Sequence, residues 1–263
     1  MSNVRRIFVK RLGAVVAAAA ATVATASPAK AFSTRNPGRD AKDPRYVGQE
    51  GKRWGMVIDL SKCIGCQACT AACKAENTIP DRVFRTWVPE YELGRYPRVR
   101  KAFLPQLCNH CEKPSCVSVC PTGATFARKD GVVVVDSKIC WGCGYCLNAC
   151  PYDKRYFNPL TQVADKCTYC AHRIDEGLLP ACVESCVGGA RIFGDLNDPK
   201  SEVSRLVSGA PSTVLNPASG TRPQTYYRGL AGELQAQPPG PPILDDLARK
   251  RDGLPAAEWT TKA

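Results

Sequence analysis

Cysteine constrains this chain more than any other residue, because sixteen of its 263 residues are cysteine. That many thiols are not expected to stay free in one folded protein, so they must pair as disulfides or bind metal. They fall into four sets of four, and no cysteine is left over. The sets are Cys63, Cys66, Cys69 and Cys73; Cys108, Cys111, Cys116 and Cys120; Cys140, Cys143, Cys146 and Cys150; and Cys167, Cys170, Cys182 and Cys186.

The spacing within the sets indicates iron–sulfur clusters. The first and third sets share C-x2-C-x2-C-x3-C, the run that binds cubane [4Fe–4S] clusters in bacterial ferredoxins. Gly65 and Gly142 lie at the same point of these two loops, where the backbone is expected to pass close to sulfide. Zinc usually takes C-x2-C pairs that are separated by a longer spacer. Zinc and a disulfide framework are the two alternatives.

An internal repeat organises the four sets. The aligned stretches are 57–73 with 134–150, and 114–124 with 180–190. The chain therefore duplicates a unit, once over 57–124 and once over 134–190, and each unit carries two cysteine sets. Each unit is predicted to run from a strand through a cluster loop and a short helix to a second loop and helix. This predicts an α+β fold of duplicated ferredoxin-like units with long loops, in which each pair of cysteine sets holds two [4Fe–4S] clusters.

Local patterns add a hairpin and one further strand to this prediction. Residues 124–136 are typical of a hairpin with Asp130-Gly131 at its turn. Residues 189–194 are predicted to form the matching strand of the second unit.

Two-cluster ferredoxins suggest how the sets combine, because the last cysteine of each run there binds the other cube. By this analogy the two middle sets share one pair of cubes and the two outer sets share the other pair. The predicted ligands are Cys63, Cys66, Cys69 and Cys186 for cube 1; Cys73, Cys167, Cys170 and Cys182 for cube 2; Cys108, Cys111, Cys116 and Cys150 for cube 3; and Cys120, Cys140, Cys143 and Cys146 for cube 4. The spacing alone leaves the exact partition open.

The N-terminus resembles an export signal. Residues 4–10 read VRRIFVK, like the twin-arginine signal of the Tat system, and Ala29-Lys30-Ala31 is typical of a cleavage site. Residues 1–31 are therefore predicted to be a Tat signal peptide, with an uncleaved anchor as the alternative. Tat signals resemble those of proteins that are exported already folded, which disfavours a disulfide framework. No later apolar run approaches the about 18 residues of a membrane span.

The net charge of +12 has an ordinary explanation. A basic chain invites a nucleic-acid partner, but residues 1–31 carry five of the positive charges and no acid, so their removal leaves +7. The count also treats every cysteine as neutral, and bound thiolates would reduce it further. Since an exported protein rarely meets nucleic acid, no nucleic-acid partner is expected.

Four stretches and a fifth, shorter one resemble the four-cluster iron–sulfur subunits of the dimethyl-sulfoxide-reductase family of molybdenum enzymes, and within them the tetrathionate reductase type. They are CIGCQACTAACKAEN at 63–77, LCNHCEKPSCVSVCPTGATF at 107–126, CGYCLNACPYDKRYFN at 143–158, ADKCTYCAHRIDEGLLPACVESCVGGARIFGDLNDP at 164–199 and GTRPQTYY at 220–227. Because all sixteen positions are cysteine, the resemblance implies four [4Fe–4S] clusters.

The resemblance also implies a role. Such a subunit relays electrons between a membrane quinol-oxidising anchor subunit and a molybdopterin-containing catalytic subunit, without catalytic residues or a small-molecule substrate of its own. It would be exported by the Tat machinery and held at the periplasmic face of the membrane through a partner subunit. The alternative is a relay ferredoxin of another sulfur-compound redox complex, such as a sulfite-reduction-associated membrane complex or a polysulfide or thiosulfate reductase.

These inferences divide the chain into four parts. Residues 32–53 are an N-terminal extension after the signal peptide, 54–200 the four-cluster ferredoxin-type domain, and 201–263 a C-terminal arm rich in proline and glycine.

The histidines, aromatic residues and basic residues near the cysteines are not predicted to be cluster ligands. His110 and His172 are predicted to be loop residues that donate to sulfur or solvent, because no ligand position is vacant. The aromatic residues near the sulfurs are predicted to pack in the core. They are Trp141, Tyr145, Tyr152 and Tyr169. Lys154 and Arg155 either tune a cluster or solvate a face, and the sequence does not separate these interpretations.

The metal content tests the interpretation of the cysteines. Protein purified without oxygen should be brown and contain about 16 irons per chain, because four cubes hold four irons each. A colourless protein that contains zinc, or that has neither metal nor free thiols, would contradict it.

Overall fold

The computed structural model describes residues 44–209 and 211–235, without the side chains of residues 44, 45 and 233. The predicted signal peptide lies outside these residues. All of them belong to the compact unit Asn36–Ala263.

Short elements make up the described residues, with eleven strands, eight α-helices and one 3-10 helix. The strands are β1 (Trp54–Asp59), β2 (Thr86–Trp87), β3 (Glu90–Arg95), β4 (Arg98–Phe103), β5 (Gln106–Leu107), β6 (Thr125–Ala127), β7 (Val133–Val135), β8 (Tyr156–Phe157), β9 (Ala164–Asp165), β10 (Arg191–Asp195) and β11 (Thr225–Arg228). The helices are α1 (Pro44–Val47), α2 (Ala68–Glu76), α3 (Ser115–Ser118), α4 (Tyr145–Asn148), α5 (Ala171–Ile174), α6 (Ala181–Glu184), α7 (Glu202–Gly209), the 3-10 helix Pro217–Ser219 and α8 (Gly232–Gln235). Mixed small sheets and short helices confirm the predicted α+β character.

A three-stranded sheet in the order β10-β1-β11 gathers distant parts of the chain. Strand β1 runs antiparallel to β10, with Val57 opposite Ile192, and parallel to β11, with Val57 opposite Tyr226. Met56, Val57 and Ile58 are fully buried, as a strand covered on both faces requires. The sheet thus joins the region before the first cysteine to the region after the last.

The described part of the predicted C-terminal arm takes part in this fold. Helix α7 packs against β10 and β1, and its Val203 is fully buried. Strand β11 completes the sheet, with Thr225 and Tyr227 fully buried. The domain boundaries proposed from the sequence, including the one after residue 200, stay predictions.

Four two-stranded ladders flank the cysteine loops. The predicted hairpin is confirmed, since β6 and β7 pair antiparallel and Gly131 has a φ of 82° at the turn. The predicted strand at 189–194 begins two residues later as β10, and it pairs with β1 of the first unit. Strands β2 and β5 pair just before Cys108, and β8 and β9 pair just before Cys167, so the second and fourth cysteine sets begin alike.

The loss of stability on substitution of a leucine should depend on how deeply that leucine is buried. Leu104 is fully buried in the main apolar cluster, whereas Leu160 is 79% exposed. Leu104→Ala should lower the free energy of unfolding by about 2–5 kcal/mol, because it leaves a cavity. Leu160→Ala should change it by less than about 0.5 kcal/mol. Anaerobic denaturant titrations of the two variants measure this, and equal losses would contradict the assigned core.

Candidate metal centres

All sixteen cysteines lie in the described part of the chain, and none is joined in a disulfide. The disulfide alternative is therefore not supported. Among the described residues, no three His, Cys, Asp or Glu side chains converge as the ligands of one metal ion do.

The predicted ligands of cube 1 line one pocket. They are Cys63, Cys66, Cys69 and Cys186. Burial raises the pKa of Cys63, and the nearby Cys69 and Cys186 thiols raise it further. The backbone N–H of Ala190 donates to Cys186 Sγ over 3.2 Å. The last cysteine of the fourth set thus joins the first three of the first set, across 117 positions of the sequence from Cys69 to Cys186.

The predicted ligands of cube 2 are also brought together, and all four are buried. Burial raises the pKa of Cys73 to about 12, with Cys182 and Cys170 as the next causes. The pKa of Cys167 is raised well above its usual value by burial and then by Cys73 and Cys182. The amide nitrogen of Asn77 lies 3.7 Å from both the Cys73 and the Cys170 sulfur.

The predicted ligands of cube 3 also raise one another's pKa values. Burial raises the pKa of Cys111 to about 12, and Cys108 is the next cause, with smaller contributions from Cys116 and Cys150. Cys150 itself has a pKa raised by burial and by Cys108. The last cysteine of the third set is therefore grouped with the first three of the second.

The fourth set of predicted ligands is brought together in part. Cys146 is buried, and Cys140 packs against the same small apolar cluster. Burial would raise the pKa of Cys120, but hydrogen bonds from the Thr125 backbone and from Thr122 outweigh it, so the pKa is lowered. Contacts among the described residues do not tie Cys120 to Cys146, so this grouping stays a prediction.

These side chains fit iron–sulfur cubes. Buried thiols with raised pKa values hold their protons until a cation replaces them, and metal binding releases those protons. Thiolate is the ligand that iron–sulfur clusters take. Backbone N–H groups also point at sulfur, from Tyr169 to Cys167 over 3.4 Å and from Thr125 to Cys120 over 3.4 Å, which helps to offset the charge of bound thiolates.

Buried cations surround the sulfurs, and sequence reasoning found only some of them. Lys154 and Arg155 are buried, so they do not solvate a face. Burial lowers the pKa of Lys154 to about 7. Lys166 and Arg191 are buried as well and have no special motif in the sequence. The signal that could have drawn attention to them is their position, each next to a strand end and a cysteine loop.

The two histidines differ from the prediction in part. His110 is fully buried, its Nδ1 accepts a hydrogen bond from the Val133 backbone over 3.1 Å, and its ring stacks on Tyr169 with centroids 3.7 Å apart. Its burial excludes donation to solvent, whereas its Nε2 has no hydrogen-bond partner among the described residues, so donation to sulfur stays a prediction. His172 is half-exposed and lies 2.7 Å from Glu76.

The aromatic residues near the sulfurs divide into two groups. Tyr152 and Tyr169 are buried, which confirms the predicted packing. Trp141 and Tyr145 are 78% and 60% exposed, so the packing prediction is wrong for them.

The glycines of the cluster loops lie close to other parts of the protein, which the sequence did not predict. Gly65 and Gly142 have φ angles of 71° and 68°, in the left-handed region that favours glycine. A Cβ on Gly142 would lie 2.5 Å from the Gln162 carbonyl oxygen, and one on Gly65 would lie 2.3 Å from the Phe103 ring. Close approach of protein to protein therefore requires glycine at these positions.

Comparison with known proteins identifies the class and then the family. Two matches to the family described as "4Fe-4S dicluster domain" cover residues 62–125 and 99–196. A tetrathionate reductase subunit of Salmonella typhimurium is 49% identical over 234 residues, which are 88% of this chain and 90% of that protein. A tetrathionate reductase subunit of Archaeoglobus fulgidus is 47% identical over 188 residues, 72% of this chain and 87% of that protein. A polysulfide reductase polypeptide of Wolinella succinogenes is 42% identical over 178 residues, 66% of this chain and 93% of that protein.

The fold and the cysteine sites thus define a ferredoxin-type protein with two dicluster domains. The chain belongs to the family of four-cluster iron–sulfur subunits of dimethyl-sulfoxide-reductase-type molybdoenzymes. It is an electron-transfer subunit of a reductase complex, and its cysteines serve four [4Fe–4S] clusters. Among the described residues, no helix has the length and apolar character to cross a membrane.

A matched pair of glycine substitutions tests the cluster loops. Gly142 and Gly177 have φ angles of 68° and 77°, but a Cβ on Gly177 would meet nothing within 4 Å. Both alanine variants incur the left-handed cost of about 1–2 kcal/mol. Gly142→Ala should lose about a further 1–3 kcal/mol by overpacking and should lose iron. Iron analysis and anaerobic unfolding measure both effects; if the two variants behave alike, the close approach at Gly142 is unimportant.

Proposed function

We propose that this chain carries single electrons through four cubes in series, between a membrane quinol-oxidising subunit and a molybdopterin-containing catalytic subunit. The cubes, when bound, accept and release one electron at a time. The observation that carries the proposal is the order in which the sulfur sites adjoin one another. Relatives whose names are those of tetrathionate and polysulfide reductase components support the kind of complex.

Three electrostatic effects support one order of the sites, where sites 1 to 4 are the places of cubes 1 to 4. Cys69 of site 1 acts on the pKa of Cys182 in site 2, where burial is the main cause of the increase. Cys108 of site 3 acts on Cys167 of site 2 in the same way, again behind burial. Arg155 lies beside Cys116 of site 3 and Cys146 of site 4. Since each effect relates two sites, the three together support a series that runs from site 1 to site 4.

The two ends of this series are the exposed ones. Of the sixteen cysteines, all described, only Cys66 of site 1 and Cys143 of site 4 are exposed. Ile64 beside the first and Trp141 beside the last are 61% and 78% exposed. Exposed apolar side chains at a rim are typical of protein interfaces. In this proposal electrons enter at one end, pass the two sites that have no exposed cysteine, and leave at the other.

The same proposal includes the duplicated units at 57–124 and 134–190, with two cubes for each pair of cysteine sets. The proximity of Cys186 to site 1 and of Cys150 to site 3 supports the exchange of fourth cysteines. It also includes export through the Tat machinery and a periplasmic location, held by a partner subunit at the membrane. The twin-arginine pattern at residues 4–10 supports export.

Substitution of sequence neighbours tests the partition. Cys146 and Cys150 belong to one cysteine run, yet we assign them to cubes 4 and 3. Cys150→Ser should perturb the same electron paramagnetic resonance (EPR) signal as Cys116→Ser, because both remove a ligand of cube 3. Cys146→Ser should perturb a different signal, shared with Cys120→Ser. If Cys146→Ser and Cys150→Ser perturb one common signal, the exchange of fourth cysteines is wrong.

Reoxidation tests the relay. The chain is reduced with dithionite and mixed with tetrathionate, with and without the catalytic subunit, while the visible absorption of the clusters is followed. Reoxidation should occur only when the catalytic subunit is present, because this chain has no catalytic centre. A parallel mixture with polysulfide tests the alternative complex. Reoxidation without the catalytic subunit, or none with it for either acceptor, would contradict the relay.

A further inference from the structure

Two arginines are buried among the predicted cluster ligands. Arg191 and Arg155 are 3% and 5% exposed. An Nη of Arg155 donates to Cys116 Sγ over 3.0 Å, and one of Arg191 lies 3.7 Å from Cys182 Sγ. Cys116 and Cys182 hold the same position in the internal repeat, in the pattern P-x-C-V.

The remaining neighbours of the two guanidinium groups also correspond. The sulfurs that raise the pKa of Arg191 most are those of Cys182, Cys69 and Cys167. The sulfurs that raise the pKa of Arg155 most are those of Cys116, Cys146 and Cys108. By the sequence repeat these are equivalent one by one, since the first set aligns with the third and the second with the fourth. Each guanidinium therefore lies between the two sites of its own pair.

The two arginines nevertheless come from different positions of the repeat. Arg191 follows Ala190, which aligns with Ala124, so its counterpart in the first unit is Thr125. The ladder β2–β5 corresponds to the ladder β8–β9, and in it Trp87 takes the place of Tyr156. The residue before Tyr156 is Arg155, and the residue before Trp87 is Thr86.

Each arginine donates a hydrogen bond to the threonine that is the counterpart of the other arginine. Arg191 donates to Thr86 Oγ1 over 2.8 Å, and Arg155 donates to Thr125 Oγ1 over 3.2 Å. The same arginine–threonine pair thus occurs twice with its members exchanged. A guanidinium reaches the same place from either side, which indicates that its charge at that place matters more than the strand that supplies it.

Neither guanidinium has a carboxylate partner. Among the ion pairs of the described residues, none includes Arg155 or Arg191. A buried charge without a counter-charge is costly, so the compensating negative charge comes from the sulfur ligands. A fixed positive charge in a poorly polarisable interior favours any added negative charge nearby, and an electron arriving at an adjacent cube is such a charge.

We propose that the fixed positive charges of Arg155 and Arg191 raise the reduction potentials of the cubes next to them. Arg155 acts on cubes 3 and 4, and Arg191 acts on cubes 1 and 2. This rests on the proposed function and on its partition of the cysteines. The guanidinium keeps its proton throughout, so the electron passes from donor to acceptor cube without a coupled proton at the arginine. The repeated pair thus gives both halves of the series a similar device for accepting electrons.

Arg155→Thr tests the proposal in the full chain, purified without oxygen. We expect the one-electron equilibria of cubes 3 and 4 to shift toward the oxidised form by at least tenfold, which is about 59 mV to more negative potential. The potentials of cubes 1 and 2 serve as the internal control and should stay unchanged. A potentiometric titration followed by EPR measures all four.

The exchanged variant Thr125→Arg/Arg155→Thr is the matched control. It copies the arrangement of Thr86 and Arg191, and it restores the charge from the opposite strand. We expect about 16 irons per chain, as four cubes require, and potentials close to those of the unsubstituted protein. The exchanged variant keeps one arginine and one threonine at these two positions. If Arg155→Thr alone loses iron, the exchanged variant therefore distinguishes a loss of charge from a loss of packing.

Several outcomes would overturn the proposal. One is unchanged potentials in Arg155→Thr with all iron retained; another is an exchanged variant that recovers neither iron nor potential. A third is an exchanged variant that recovers iron while its potentials stay low. The proposed relay fails differently, because the unsubstituted protein would then lack four one-electron couples.

Discussion

The crowding of thiols in a dry interior is the constraint on which the rest of the structure depends. Burial raises the pKa of seven of the sixteen cysteines, to about 12 for Cys73 and Cys111, and neighbouring thiols add to each increase. Thiolates in such places are stable only beside strong positive charge, and iron supplies it at each site. The buried arginines provide further positive charge around the sites, and backbone N–H groups aim at individual sulfurs. Metal binding and folding are therefore coupled in this chain.

In the proposed partition, the exchange of fourth cysteines gives this chemistry its geometry. A site built from one run alone would be local, whereas Cys186 beside Cys63 and Cys150 beside Cys111 tie distant segments together. The sheet β10-β1-β11 supports the outer pair, because its strands lie next to the first and last cysteine sets. The proposed result is a series of adjoining sites in which the two middle sites have no exposed cysteine and each end site has one. Such a series would suit hopping of electrons between two partner subunits.

Local signals in the sequence predicted much of this arrangement. The cysteine runs, the repeat and the Asp130-Gly131 turn each depend on spacing or on backbone preference, so they can be found without tertiary information. The pairing of β1 with β11 could not be predicted, because it joins two segments that no local pattern relates. The burial of His110 and Arg191 and the exposure of Trp141 also depend on tertiary packing. Neighbouring residues in a cluster loop face opposite environments, and residue type alone does not distinguish them.

The central claim is that four cubes lie in series and share ligands between distant cysteine sets. Anomalous X-ray diffraction at the iron edge, from crystals grown without oxygen, tests it most directly. We predict four separate iron clusters in a row, with Cys186 bound to the first, Cys150 to the third, and the exposed Cys66 and Cys143 at the two ends. Fewer than four clusters, or Cys150 bound to the same cluster as Cys146, would contradict the account.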